Sequence, residues 1–303
     1  PYILNILEFN FSPDYLDQYK SETLIPIPIY SIFIHSFFFK FFNLYSFLIL
    51  EFISLIIFFL ILLNIFKRIG LNNTWSLLLI MIIFLIPSVF ENLSKLNFTQ
   101  INFNAVSNLY SFRFPRPLIT SLYFFWGLYL AINYFLNKKN TLKDYIIISI
   151  CLSLCFVSYY YHFVNLVILF FILFMTKYSN NKKLFIENSK YLFLSILIFI
   201  ILISPFLILL YLSHNDFAQM MGVFDLNLER KVELLVYLLS KIFSIKFFSI
   251  FLLITLFFLF LLKSANFFDK KTILTIYLFF ISSFISPFLF IVLSPSVSEI
   301  YNF

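Results

Sequence analysis

Residues 44–68 read LYSFLILEFISLIIFFLILLNIFKR, a long apolar run interrupted by one acidic side chain, Glu51, and closed by Lys67 and Arg68. A helix needs about 20 such residues to cross the ~30 Å hydrocarbon of a bilayer. Lipid offers the backbone no hydrogen-bond partners, so an isolated run of this kind crosses as a helix. The basic pair then orients it, because Lys and Arg are retained on the cytoplasmic side.

Outward from that run, the charges of the chain fall into clusters of two kinds. One kind is basic: Lys138, Lys139 and Lys143, then Lys177, Lys182, Lys183 and Lys190, then Lys263, Lys270 and Lys271. The other holds most of the acids: Glu8, Asp14, Asp17 and Glu22, then Glu91, then Asp216, Asp225, Glu229 and Glu233, then Glu299. Composition agrees, since 62% of residues are hydrophobic, mean hydropathy is +0.99 and 12% are charged, against roughly a quarter charged in ordinary chains. These values exclude a soluble domain. The net charge of +7 lies in the inner loops, so it reads as a topology signal and implies no nucleic-acid partner.

Following the alternation gives a route. Segment 1–23 lies outside, and the forty-three residues 24–66 leave room for one crossing, placed at 44–66. The stretch before it, with Pro26 and Pro28 opposing an earlier helix start, is expected on or dipping into the outer surface. Residues 75–90 go out and 117–136 return. Residues 145–176 form two arms of roughly 15 residues each, short for a bilayer, turning near Tyr159, Tyr160, Tyr161 and His162. Residues 191–212 go out again. Over 233–246, Glu233, Tyr237, Ser240, Lys241 and Ser244 share one helical face, which predicts an outer interfacial helix. Crossings at 247–262 and 272–293 complete the set. The expectation is an all-α polytopic membrane protein of about eight transmembrane helices with outer-face interfacial helices. It forms a single transmembrane domain over 1–303 in the cell or inner membrane, with acidic loops outside. Three outer segments stand out: 1–43, 91–116 and 213–246. The chain begins at Pro1 rather than Met, which reads as a fragment of a longer protein.

The inner loops are short and merely basic, so chemistry is expected outside. Asp14 and Asp17, flanked by Tyr15 and Tyr19, suit a general base for an acceptor hydroxyl; taken alone, the pair reads more readily as an acidic surface loop with a cap at Asp14. In Ser111-Phe112-Arg113-Phe114-Pro115-Arg116-Pro117, two Arg stand on the outer side against the positive-inside bias. Arg113 and Arg116 offer forked donors for a phosphate, or snorkel as lipid anchors. Glu51 is costly within a span, which marks a functional carboxylate or a pair with Lys40 or His35. His162, after three Tyr, lines a polar pocket or belongs to an interfacial aromatic belt. Cys151 and Cys155 lie four apart in an apolar run and read as small buried hydrophobes. No metal-ligand spacing and no Gly-rich phosphate loop occur, so no metal and no cofactor are expected.

The order of these features resembles the membrane glycosyltransferases of the GT-C type. An acidic loop (Asp14, Asp17) is followed by a Pro-containing stretch, Ile25-Pro26-Ile27-Pro28-Ile29-Tyr30, then by the 44–66 span and the basic turn Lys67-Arg68. Later come the outer Arg-Phe-Pro-Arg-Pro segment and two short helices meeting at Tyr-Tyr-Tyr-His. The resemblance covers roughly residues 10–210 and rests on order rather than on an invariant motif. It implies a sugar donor on a polyprenyl phosphate and Asp14 or Asp17 as base. The Asp-x-x-Asp spacing departs from the Asp-x-Asp of metal-using members. Two other classes fit the composition: a polytopic transporter or flippase for a lipid-linked or small substrate, and a non-catalytic membrane subunit. Against transport, Pro87, Pro205 and Pro287 fall near span ends rather than at matched midplane positions.

Overall fold

The computed structural model describes residues 29–95, 118–179, 181–212, 223–225, 228–263, 270–293 and 296–298. Helix α1 (Ile29–Phe42) is 14 residues, about 21 Å at 1.5 Å per residue and too short for the hydrocarbon. Asn43 then turns the chain with φ 49°, a left-handed conformation that Asn tolerates, and α2 (Tyr45–Ile69) begins. Its end is fixed by Gly70 at φ 100°. The Gly70 N–H donates to the Lys67 carbonyl at 3.1 Å and the Leu71 N–H to Phe66 at 3.2 Å, a double closure that glycine permits. Lys67 and Arg68 sit in this last turn, where cations suit the helix dipole.

Side-chain caps open the next helices. The Asn72 side chain accepts the Trp75 N–H at 2.9 Å at the start of α3 (Asn73–Lys95). After α4 (Leu118–Leu136), Thr141 and Asp144 form a reciprocal capping box, with Thr141 N–H on Asp144 at 2.7 Å. This starts α5 (Leu142–Ser158) three residues ahead of the predicted 145. Tyr159 alone, extended at φ −154° and ψ 101°, separates α5 from α6 (Tyr160–Tyr178). The predicted turn is therefore a one-residue break, and its arms are 17 and 19 residues long. Helix α7 (Lys182–Leu212) runs for 31 residues, starting well before the predicted 191 because Asn181 caps the Leu184 N–H and Asn188 is buried. Helix α8 (Leu228–Ile242) covers 233–242 of the predicted amphipathic segment 233–246, leaves Ser244 beyond its end, and buries no residue. A turn at Phe243–Ser244 leads into α9 (Ile245–Lys263), and α10 (Lys270–Leu293) follows. Two three-residue strands, β1 (Val223–Asp225) and β2 (Ser296–Ser298), pair antiparallel with Phe224 opposite Val297. The architecture is otherwise helical.

Eight of these helices occupy the eight predicted crossing positions. Four are long and apolar enough to span a membrane: α2, α6, α7 over Lys182–Ile208, and α10. Apolar stretches in α3, α4 and α9 are shorter among the described residues (Asn73–Leu85, Ser121–Leu136 and Phe248–Lys263). The chain thus has the composition and helices of a membrane protein.

Helices α4, α5 and α6 supply the core, where Leu128, Ala131, Ile132, Cys151, Leu166, Leu169 and Leu173 are buried together with Ile65 of α2. The α4–α6 contact is so close that a Cβ added at Gly127 would meet Leu166 Cδ1 at 2.4 Å. Helix α7 packs on α5, α10 on both α6 and α4, and α2 on α4. Both cysteines are free and buried, packing as the small hydrophobes expected.

Hydrogen bonds carry the basic clusters to one end. Thr272 at the start of α10 donates to the Arg68 carbonyl at the end of α2, at 3.1 Å. Lys177 at the end of α6 donates to Asn137, just past α4, at 2.6 Å. Asn140, just ahead of α5, donates to the Tyr178 hydroxyl at 2.9 Å, and Tyr145 of α5 donates to Asn188 of α7 at 3.0 Å. Lys67, Arg68, Lys138, Lys139, Lys182, Lys183, Lys270 and Lys271 are all exposed there. This is the basic end of the bundle.

Candidate functional site

Of the residues singled out from sequence, Asp14, Asp17, Arg113 and Arg116 lie outside the described residues. Glu51 and His162 are described. Glu51 sits part-buried on α2, two turns from its start, and forms no salt bridge with Lys40 among the described residues.

His162 lies in the first turn of α6, its N–H donating to the Tyr159 carbonyl at 3.0 Å across the helix break. Its ring stacks on Phe124 of α4, with centroids 4.1 Å apart and planes at 18°. Tyr159 approaches edge-on at 4.6 Å. The neighbouring Tyr161 stacks on Phe290 of α10 at 4.3 Å. The Tyr-Tyr-Tyr-His segment thus splits between α4 and α10 and ties both to α6. That is an intramolecular aromatic joint, with His162 stacked on Phe124 and met edge-on by Tyr159.

One cavity is a cleft of about 590 Å³ between α1, α2 and α4. Helix α2 lines it from Leu50 to Asn64, about 21 Å of helix axis, with Ser54 and Ile57 between them. Phe38 of α1 and Tyr123, Trp126 and Tyr129 of α4 close it. Neither Glu51 nor His162 is among the lining residues. The lining is mostly apolar, with isolated polar groups at Ser54, Asn64 and the tyrosines, the pattern of a site for an apolar molecule carrying a few polar atoms. Tyr123 is anchored through its carbonyl, which accepts a bond from Cys151 Sγ at 3.4 Å. Its hydroxyl is buried and has no hydrogen-bond partner among the described residues.

A second groove of about 320 Å³ runs between α4, α5, α6 and α7. At its floor the Tyr134 and Tyr145 hydroxyls meet at 3.1 Å. The Asn188 amide accepts from Tyr145 and donates to the Leu184 carbonyl at 2.8 Å. Ser149 and Ser195 face each other at 2.6 Å and tie α5 to α7. Lys177 caps the end of α4 by donating to the Tyr134 and Asn137 carbonyls. Its ammonium stands 5.0 Å from the Tyr134 ring and 5.5 Å from that of Tyr178, within reach of a cation–π attraction.

The expectation that the basic side offers only topogenic charge is therefore too simple, because the best-connected buried polar network described lies there. Charge counting treated Lys177 as one of a row. The available signal was polar residues at helical spacing inside apolar runs: Ser149 with Tyr145, and Asn188 with Ser195. Among the described residues no three His, Cys, Asp or Glu side chains gather as a metal-ligand set. Compared with protein-family models, curated proteins and solved structures, the chain matches none of them.

Proposed function

We propose that this chain is a polytopic membrane glycosyltransferase that moves a sugar from a polyprenyl-phosphate donor to an acceptor at the outer membrane face. In this reading the eight helices at the predicted positions all cross, and the basic end faces the cytoplasm. The observation that carries it is the apolar cleft between α1, α2 and α4. Its α4 wall begins at Ile119, three residues after Arg116 in sequence. An apolar slot whose α4 wall follows two arginines in sequence suits a lipid phosphate, a long hydrocarbon with a dianionic or monoanionic head for their forked donors.

Chemically, the acceptor oxygen attacks the anomeric carbon while Asp14 or Asp17 takes its proton. The bond between that carbon and the phosphate oxygen breaks, and polyprenyl phosphate departs with its charge held by Arg113 and Arg116. His162 and Glu51 would act on the substrate side only through the helices they sit on, since neither lines the cleft.

The test uses membranes carrying the full chain and radiolabelled polyprenyl-phosphate sugars. Asp14→Ala or Asp17→Ala abolishes transfer while insertion is unchanged. Arg113→Ala and Arg116→Ala each weaken donor binding by about 1.5–3 kcal/mol, the range for hydrogen bonds to a charged group. Full activity in all four variants sinks the assignment. Donor crossing the bilayer with no covalent product favours transport instead.

A further inference from the structure

The groove between α4, α5, α6 and α7 belongs to no step of the transfer reading, and its dimensions are specific. On α6 its lining runs from Phe163 to Phe174, about 16 Å of helix axis. That is close to half of the ~30 Å hydrocarbon, the depth of one leaflet. Phe163 and Phe199 lie flat against each other at 5.2 Å with planes 5° apart, forming the end remote from the basic clusters. Tyr134 and Tyr145 form the other end. The sides are exposed: Phe171 is 57% exposed, Ile196 48% and Val167 39%, so the groove is open along its length to whatever surrounds the bundle.

Charge decides what fills it. At the Tyr134 end, Lys177 stands over the ring that lines the groove. An ammonium has three donors; two are taken by the Tyr134 and Asn137 carbonyls, which leaves one. Lys138 and Lys139 follow Asn137 directly and are exposed. The acid on the adjoining helix start, Asp144, is engaged by Thr141 through both its N–H and its hydroxyl, at 2.7 and 2.9 Å. An apolar groove about one leaflet deep thus ends beside Lys177, with Lys138 and Lys139 next along the chain from Asn137 and Asp144 hydrogen-bonded to Thr141.

We infer that this groove binds one anionic phospholipid, with an acyl chain between α6 and α7 and its phosphate among Lys177, Lys138 and Lys139. Basic sites between membrane helices select anionic headgroups in this way. The inference needs the bundle to lie in a membrane and does not depend on glycosyl transfer.

The full chain, purified in mild detergent and examined by native mass spectrometry with phosphatidylglycerol or phosphatidylcholine added, tests it. One phosphatidylglycerol should stay bound, more abundant than phosphatidylcholine by about fivefold or more for each Lys engaged. K138Q/K139Q, on an exposed turn, should lower the preference to about fivefold, the share left to Lys177. Val167→Trp, which fills the groove from its rim, should remove the adduct for both; Ile196→Trp from the opposite rim replaces it if helicity by circular dichroism falls. Soluble glycerol phosphate should not displace the lipid. Equal occupancy in the unaltered chain, an adduct that survives a filled groove, or displacement by glycerol phosphate each overturns the proposal.

Discussion

Helices α5 and α8 are nearly the same length, 17 and 15 residues, yet α5 buries eight of its residues and α8 none. Helix α5 has Tyr145, Ile148, Ser149, Cys151, Ser153 and Cys155 turned inward, contacting α4, α6 and α7. Its inward face mixes small and polar residues. Helix α8 has the opposite design, with Glu229, Glu233 and Lys241 among exposed Val232, Val236 and Leu239. The difference teaches what sorts helices in this chain. Where the surroundings are lipid, apolar surface gives no advantage to burial between helices, so close approach and hydrogen bonds decide what is inside. A helix with a strong polar face is held at the bundle's edge instead.

The largest effect should come from breaking the polar connections on the α5 side. Lys177→Met keeps the stem and removes the donors to the Tyr134 and Asn137 carbonyls. Loss of hydrogen bonds from a charged group costs about 1.5–3 kcal/mol, read as a fall in the midpoint of unfolding by SDS in mixed micelles. An unchanged midpoint would mean that α4 is capped by something other than Lys177.

Gly127→Ala comes next. The new Cβ would fall 2.4 and 2.9 Å from the two Leu166 methyl carbons, and Leu166 is 0% exposed, so its end has nowhere to swing. Overpacking of this sort costs about 1–3 kcal/mol. The double variant Gly127→Ala/Leu166→Ala should be less impaired than additivity of the two single changes predicts, a coupling that marks direct contact. Strict additivity would show that α4 and α6 do not touch at this point.

Asn165→Leu tests the joint between α6 and α10. The Asn165 amide donates to Ser283 at 2.6 Å, and the Ser282 hydroxyl donates to its carbonyl oxygen. Interhelical hydrogen bonds in membranes average about 0.6 kcal/mol and reach about 1.7, so a small loss is expected. Asn165→Asp at neutral pH should be worse, since a carboxylate cannot donate to Ser283 and is costly to bury.

Much of this was legible in the sequence. The Lys67-Arg68, Lys138-Lys139 and Lys270-Lys271 clusters were grouped by sign alone, and the hydrogen bonds of Thr272, Lys177 and Asn140 bring their neighbourhoods to one end. Helix α7's early start was not, because Lys182, Lys183 and Glu187 look like loop until Asn181 is seen capping Leu184. His162 was legible as a position but not as a contact, since stacking on Phe124 depends on how α4 and α6 face each other. The number of helices that cross follows less directly, because span length gives no weight to short helices packed inside a bundle.

The smallest stability effect belongs to α8, and it is the sharpest check on the comparison. Val236 is 59% exposed and Leu239 42%, and among the described residues α8 packs on α9 and α10, with Lys231 donating to the Val292 carbonyl at 3.0 Å. Val236→Ser/Leu239→Ser should therefore leave the SDS midpoint within about 0.5 kcal/mol, as for surface substitutions generally. If α8 lies on a bilayer surface, the same change removes apolar area from the lipid boundary. A bimane label at Tyr237, introduced as Tyr237→Cys in a chain with Cys151 and Cys155 replaced by Ala, should then lose its quenching by shallow lipid spin labels. A midpoint that falls as far as for Lys177→Met would place α8 in the packed bundle, and unchanged quenching would remove it from the membrane surface.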